Sequence, residues 1–250
     1  MNLVLLEPEE VDASGAVVLR GRRARHLWEV LRVAPGRVLK VGVVRGSLGR
    51  AEVTRATAEE VVLAARFDES APVTPELDVI LAVPRPKVLS RVLVTLAAFG
   101  VRRIDLVNAW RVDKSFLGSS RLDEAALGAA LRLGCEQGGT TWVPEVATRP
   151  LLVPFLDEVL APRLAADGAR GVLLLAHPGV PQTLESAVPA GTLGSSCVAI
   201  GPEGGWIAEE RASFAQLGFV EVAIAPAILR VEAAAAALLG QLALWRRVGR

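Results

Sequence analysis

The residues best suited to holding a small ligand are the run Gly201-Pro202-Glu203-Gly204-Gly205-Trp206. It directly follows a short apolar segment, Cys197–Ile200, and opens a helical pattern from Ile207. In open α/β sheets, ligands bind beyond the carboxyl ends of strands. Glycines there let a ligand approach the backbone, and the free amides of a helix start can donate hydrogen bonds. The run lacks the Gly-Lys-Ser/Thr of a nucleoside-triphosphate loop, and its glycine spacing is not the dinucleotide fingerprint. Taken alone it reads first as a tight turn that needs glycine at positive φ.

Two further stretches share the same setting. Ala225-Pro226-Ala227-Ile228-Leu229-Arg230-Val231-Glu232 follows the next apolar segment and opens the last helix, and Ala176-His177-Pro178-Gly179 follows Gly171–Leu175. Three strand-to-helix turns at one sheet edge would enclose a pocket of backbone groups lined by Ile224, Ile228 and Leu229. A mostly apolar pocket with a few polar groups suits an adenosine-like ligand.

The elements that must position these turns can be read from periodicity. From Leu77 onward strands and helices alternate: strands at Leu77–Val83, Ile104–Val107, Gly171–Ala176, Cys197–Ile200 and Phe219–Ile224, and helices at Val88–Phe99, Leu122–Cys135, Val153–Ala166, Ile207–Leu217 and Val231–Val248. Such alternation predicts an α/β domain with a parallel sheet covered by helices. Residues 1–71 differ. Short apolar runs at Ala16–Leu19, Val38–Val44, Ala51–Val53 and Val61–Ala65, separated by glycines, predict a small β-barrel or sandwich. One helical piece interrupts them, with Arg23 and His26 at its start and Leu27, Val30, Leu31 and Val33 near a 3.6 period. Pro72 and Pro75 stop both kinds of element, so residues 72–76 read as a linker.

Composition narrows the class. The chain has 250 residues, is 52% hydrophobic and carries a formal net charge of +1, which argues against disorder and for a substantial core. The charge is unevenly spread: Arg20–Arg55 holds ten basic and two acidic residues, and Arg85–Arg121 eight and two. Two basic stretches suggest a face for a polyanion, against the alternative of ordinary solvated arginines. Cys135 and Cys197 lie in apolar segments without metal-type spacing, so neither a disulfide nor a metal site is expected. The amino terminus lacks a signal-peptide layout, and the longest apolar stretch, Val231–Trp245, is too short and too polar for a bilayer. The expected setting is cytoplasmic, without membrane attachment.

The glycine loop combined with Ile228-Leu229-Arg230-Val231-Glu232 resembles the 16S ribosomal RNA uridine-N3 methyltransferases of the SPOUT class. The resemblance extends through Leu81-Ala82-Val83-Pro84-Arg85-Pro86-Lys87, Gly100-Val101, Glu136-Gln137 and Trp142-Val143-Pro144-Glu145-Val146. In the first domain it includes His26-Leu27 and Val30-Leu31-Arg32. It implies a PUA-like RNA-binding β-barrel over 1–71 and a SPOUT methyltransferase domain with a C-terminal trefoil knot over 77–250. It further implies S-adenosylmethionine as cofactor, a homodimer, and ribosomal RNA or the small ribosomal subunit as partner. The implied cofactor-binding residues are Ala176, His177, Gly201, Pro202, Glu203, Gly204, Ile224, Ala225, Ile228 and Leu229. The chain departs from the family pattern at Ala225, Ala227 and Ala233, where glycine, arginine and threonine are usual.

Methylation at N3 of uracil must release a proton and spread negative charge over two carbonyl oxygens, which a nearby arginine would stabilise. Arg230 is the first candidate and Arg85 the second. Glu203 is read as fixing its loop by accepting amide hydrogen bonds, Glu232 as complementing the last helix's dipole, and Trp206 as a core-facing anchor. Arg22, Arg23, Arg25, His26 and Arg32 are the expected RNA-gripping residues. Two alternatives stand beside this reading: a catalytically weakened RNA-binding relative, and a methyltransferase of another RNA.

Overall fold

The computed structural model describes residues 2–68, 74–166, 171–188 and 194–248. Of the expected linker, residues 72–76, Pro72 and Val73 lie outside the described residues. The chain divides into two compact units, one of residues 1–74 and 132–143, the other of residues 75–131 and 144–250.

In the first unit, β1 (Val4–Leu6), β2 (Ala16–Arg20), β3 (Val38–Val43), β4 (Leu48–Ala56) and β5 (Glu60–Phe67) form a curled sheet of order β1-β3-β4-β5-β2. β1 pairs parallel with β3, and the other pairs are antiparallel. Burial alternates along β4 and β5 with the period of two that puts one face on a core. That core includes Leu6, Val17, Leu19, Val41, Val53, Val61 and Leu63. The helical piece begins earlier than its periodicity predicts: α1 (Gly21–Arg25) runs straight into a wider π-type turn over His26–Val30. Leu27 and Val33 are buried as expected, but Val30 is 64% exposed. The wider turn changes the angular step between residues, which takes Val30 off the buried face.

Residues 132–143 belong with this unit. The amides of Asn2 and Leu3 donate to the carbonyl of Glu136 at 3.2 and 3.1 Å. Thr141 donates to the carbonyl of Gly46 at 2.8 Å, and the Arg45 guanidinium lies 4.9 Å from the Trp142 ring centre.

The second unit is a parallel sheet of β6 (Leu77–Ala82), β7 (Arg103–Val107), β8 (Glu145–Arg149), β9 (Leu173–Ala176), β10 (Ser196–Ile200) and β11 (Val220–Val222). Its order among the described residues is β11-β9-β10-β6-β7-β8. β6 and β10 are buried at every position, as central parallel strands with both faces covered must be. The helices are α2 (Pro86–Ala98), α3 (Glu124–Gly138), α4 (Leu152–Phe155), α5 (Ala161–Ala166), α6 (Leu184–Ala187), α7 (Ala208–Gln216) and α8 (Val231–Val248). The second half of α3 counts with the first unit. α2 buries Leu89, Val92, Leu93, Leu96 and Ala97, the stripe expected of an amphipathic helix, and packs against α8. Gly100 closes α2 at φ +74°, the left-handed geometry of a helix stop. Pro162 does not end its helical segment. A π-type turn over Leu156–Leu160 lies between α4 and α5, with the Ala161 amide donating to the carbonyl of Leu156.

Two acids are buried within the sheet. Asp78 receives a two-pronged bond from Arg102 at 2.8 and 2.9 Å, and Asp105 receives Arg149 and Arg163, each at 2.8 Å. Burial alone would make these carboxylates costly, so the paired guanidinium groups are what let them stay. No helix among the described residues is long and apolar enough to cross a membrane.

Candidate functional site

Because β9, β10 and β11 run parallel, the turns after them emerge at one edge of the sheet. β9 lies between the other two, so the turns at Ala176, Gly201 and Ile224 stand in the order third, first, second around a common hollow. The His177 turn therefore stands between the glycine loop and the turn at Ile224. All three line one cavity of about 340 Å³, within the usual range for small-molecule sites. Its walls include Ala176, His177, Gly201, Pro202, Glu203, Gly204, Ile224, Ala225, Ile228 and Leu229.

Each wall is fixed from behind. The His177 amide donates to the carbonyl of Val222 at 3.0 Å, tying the first turn to the end of β11. Gln241 of α8 reaches back to donate to the carbonyl of Ile224 at 2.8 Å. Glu203 accepts the amide of Arg85 at 3.3 Å, joining the glycine loop to the start of α2. This is a structural use of the carboxylate, on the amide of a different loop. The glycines in the loop serve different ends. Gly201 has ordinary φ, and a Cβ there would meet the Trp206 ring at 3.0 to 3.2 Å, so it is space that forbids a side chain. Gly205, at φ +74° with nothing within 4 Å, is needed for its handedness.

Trp206 is 3% exposed and packs edge-on against Phe214 with ring centres 5.1 Å apart. It is thus a core anchor that also lines the cavity, and its indole Nε1 has no hydrogen-bond partner among the described residues. The same holds for Nδ1 of His177. Buried polar atoms without partners are costly, and both belong to residues that line the cavity. Burial, with a smaller push from the Arg211 charge, lowers the His177 pKa below its ordinary value. The imidazole is therefore neutral near pH 7 and adds no cation to the cavity. Glycine walls, apolar lining and absence of a formal positive charge at His177 together suit a cofactor that itself carries a sulfonium.

Neither arginine candidate is among the residues that line the cavity. Arg230 stands between the lining residues Leu229 and Val231, is exposed, and has no ion pair among the described residues. Glu232, its possible partner, is taken by Arg91 at 3.0 Å. The Arg85 side chain is also exposed. A third arginine escaped the sequence reading. Arg111, in the loop after β7, lines the cavity and donates to the carbonyl of Gly204 at 2.6 Å. Its only sequence signal is that Asn108-Ala109-Trp110-Arg111 follows a strand, as the other three turns do.

The basic residues of the first unit divide. Arg22, Arg25 and Arg32 are exposed, and His26 is half-buried. Arg23 differs from expectation: it pairs with Glu10 at 2.7 Å and donates to the carbonyl of Leu5 at 2.6 Å. Both arms of its guanidinium are committed to the fold, which makes it a brace and not a free phosphate contact. Cys135 and Cys197 are buried, and burial pushes the first thiol up to about 12 and raises the second as well, so both are unreactive.

Fold and cavity define a parallel-sheet α/β protein with a cofactor-sized site at its carboxyl edge. The RNA methyltransferase domain family matches residues 71–243. Ribosomal RNA small subunit methyltransferase E of Treponema pallidum is 31% identical over 257 residues, covering 99% of this chain and 94% of that one. The enzyme of the same name from Mycobacterium bovis is 28% identical over 234 residues, covering 92% and 86%. Ribosomal RNA small subunit methyltransferase E of Neisseria gonorrhoeae, solved bound to S-adenosyl methionine, has the same fold, with a TM-score of 0.79 at 24% identity over 98% of both chains. A putative methyltransferase of Legionella pneumophila, solved with the same cofactor, gives 0.74 at 21% identity over 97% of both chains. The chain belongs to the ribosomal RNA small subunit methyltransferase E family.

Proposed function

We propose that this protein methylates N3 of a uridine in the 16S ribosomal RNA of the small subunit, using S-adenosylmethionine. The observation that carries the reading is the glycine-walled cavity formed by the turns at Ala176, Gly201 and Ile224. When bound, the cofactor supplies an electrophilic methyl group. The lining residues named above would hold it, their apolar side chains suited to the adenosine and the backbone groups of the three turns to its polar parts. Rate acceleration then comes chiefly from alignment of methyl group and acceptor. Arg230, exposed and unpaired among the described residues, stabilises the charge that spreads over uracil as the N3 proton leaves. Arg85, across the glycine loop, is the second candidate for that role.

The first domain, residues 1–71, acts as a PUA-like RNA-binding barrel, gripping phosphates through Arg22, Arg25 and Arg32 with His26 beside them. The linker 72–76 joins it to the methyltransferase domain, 77–250, which carries the trefoil knot. A homodimer buries α8, which exposes Leu244 at 52% and Val248 at 61% beyond its internal stripe. The enzyme works in the cytoplasm, where its RNA is found, and needs no metal. The test is transfer from methyl-labelled cofactor to small ribosomal subunits and to free 16S RNA, with the product nucleoside identified by mass spectrometry. The expected product is 3-methyluridine, lost in Arg230→Ala while cofactor binding persists. Label at another atom or on another RNA would overturn the substrate assignment. Cofactor binding with no transfer would favour an RNA-binding relative that has lost catalysis.

A further inference from the structure

Trp110 is 75% exposed, the most exposed tryptophan among the described residues. Leaving so large a ring in water forgoes a large apolar gain, and mobile surface chains do not usually carry one. The loop beneath it is not free to move. The Trp110 amide donates to Oε1 of Glu210 at 2.7 Å, and Oε2 of the same carboxylate accepts the Ile207 amide at 3.0 Å. Glu210 is 6% exposed, so one buried carboxylate staples the Trp110 loop to the start of α7. On the other side Arg111 is bonded to the glycine loop. Lys114 closes the turn by donating to Oδ1 of Asn108 at 2.9 Å.

The ring is thus held out on a pinned loop, at the carboxyl edge of the sheet, next to a residue that lines the cofactor cavity. Its surroundings are basic: residues 108–121 contain Arg111, Lys114 and Arg121 against Asp113 alone. A flat apolar ring among cations matches one class of occupant, an unpaired nucleobase on a phosphate backbone. Specific RNA recognition relies on such bases stacked on aromatic rings.

We propose that Trp110 is a stacking platform for an unpaired base of the RNA substrate, presenting the acceptor to the cavity. This rests on the methyltransferase reading. Its own mark is that RNA affinity and KM depend on the ring, while cofactor affinity does not. The test uses the full chain and an in-vitro-transcribed fragment of small-subunit ribosomal RNA with unpaired uridines. Wild type, Trp110→Phe and Trp110→Ala are compared for RNA binding, methyl-transfer KM and kcat, S-adenosylmethionine affinity by calorimetry, and mass in solution. Trp110→Ala should weaken RNA binding and raise KM by about tenfold, the order expected for removing one stacked ring, and Trp110→Phe should recover most of it. Cofactor affinity and mass should stay unchanged. RNA affinity unchanged in Trp110→Ala, with normal wild-type activity, would overturn the platform alone. A fall in mass to the monomer would overturn it too, since a second copy of the chain would then be the occupant. A wild type that takes up neither cofactor nor RNA would overturn the functional reading and the platform with it.

Discussion

Replacing Gly201 with valine should damage cofactor binding far more than folding. A Cβ at this position would lie 3.0 Å from Nε1 and 3.2 Å from Cδ1 and Cε2 of Trp206. The ring cannot retreat. It is 3% exposed and pressed against Phe214, whose own ring centre is 5.1 Å from that of Phe219. The strain must therefore move the glycine loop toward the cavity. Overpacking of this kind costs about 1–3 kcal/mol. Loss of glycine's freedom in the unfolded chain offsets roughly 0.4–1 kcal/mol of it, since φ here is ordinary. The net loss of about 1–2 kcal/mol lowers the melting temperature by roughly 2–8 °C for a chain of this size. Cofactor affinity should fall about 10- to 100-fold, as one or two well-placed hydrogen bonds are lost. Calorimetric titration with S-adenosylmethionine and a thermal melt without it measure the two effects. Gly218→Ala is the control. It strains a φ of +87° at the end of α7, where the nearest contact is an ordinary 3.9 Å, and should lower stability by about 1 kcal/mol with cofactor affinity unchanged. Gly201→Val that binds the cofactor within about twofold of wild type would refute the argument that this wall is set by Trp206.

Three further outcomes are expected. Protonating His177 puts a cation into the cavity, so cofactor affinity should hold above pH 6.5 and drop as the pH falls below it, and a His177→Gln variant should flatten that dependence. The sign follows from its lowered folded pKa: the stability from the neutral ring is complete above the unfolded value of 6.5 and is lost as pH falls through the folded value. Asp105→Ala removes the buried carboxylate that Arg149 of β8 and Arg163 of α5 share and should cost about 3–5 kcal/mol in chemical denaturation, the range for breaking a buried pair; a loss under about 1 kcal/mol would show that water reaches them. Arg22→Ala and Arg25→Ala should each reduce the salt slope of RNA binding by about one, whereas Arg23→Ala should lower the melting temperature instead, because its guanidinium braces Glu10 and Leu5.

The strand-turn-helix units around the cavity, and the turns that line it, are written in short stretches of the chain. These are local features. Apolar runs of strand length, glycines after them and a helical period beyond are set within about ten residues. The run at Gly201–Trp206 and the segments around Ala176 and Ile228 were legible for that reason. Strand order was not, because each parallel pairing joins segments far apart in the chain, such as Val198 with Leu174 on one side and Val79 on the other. Only that order sets the His177 turn between the other two and carries the loop after β7, with Trp110 and Arg111, to the edge of the sheet where the cavity lies. Side-chain partners were equally hidden. Arg23 looks like its neighbours in sequence, and only the folded chain, by bringing Glu10 and Leu5 to it, makes it a brace while Arg22 and Arg25 stay exposed. The exposure of Val30 likewise followed from a π-type turn that no apolar period announces, since one extra residue in a turn is a small local cost decided by the packing around it.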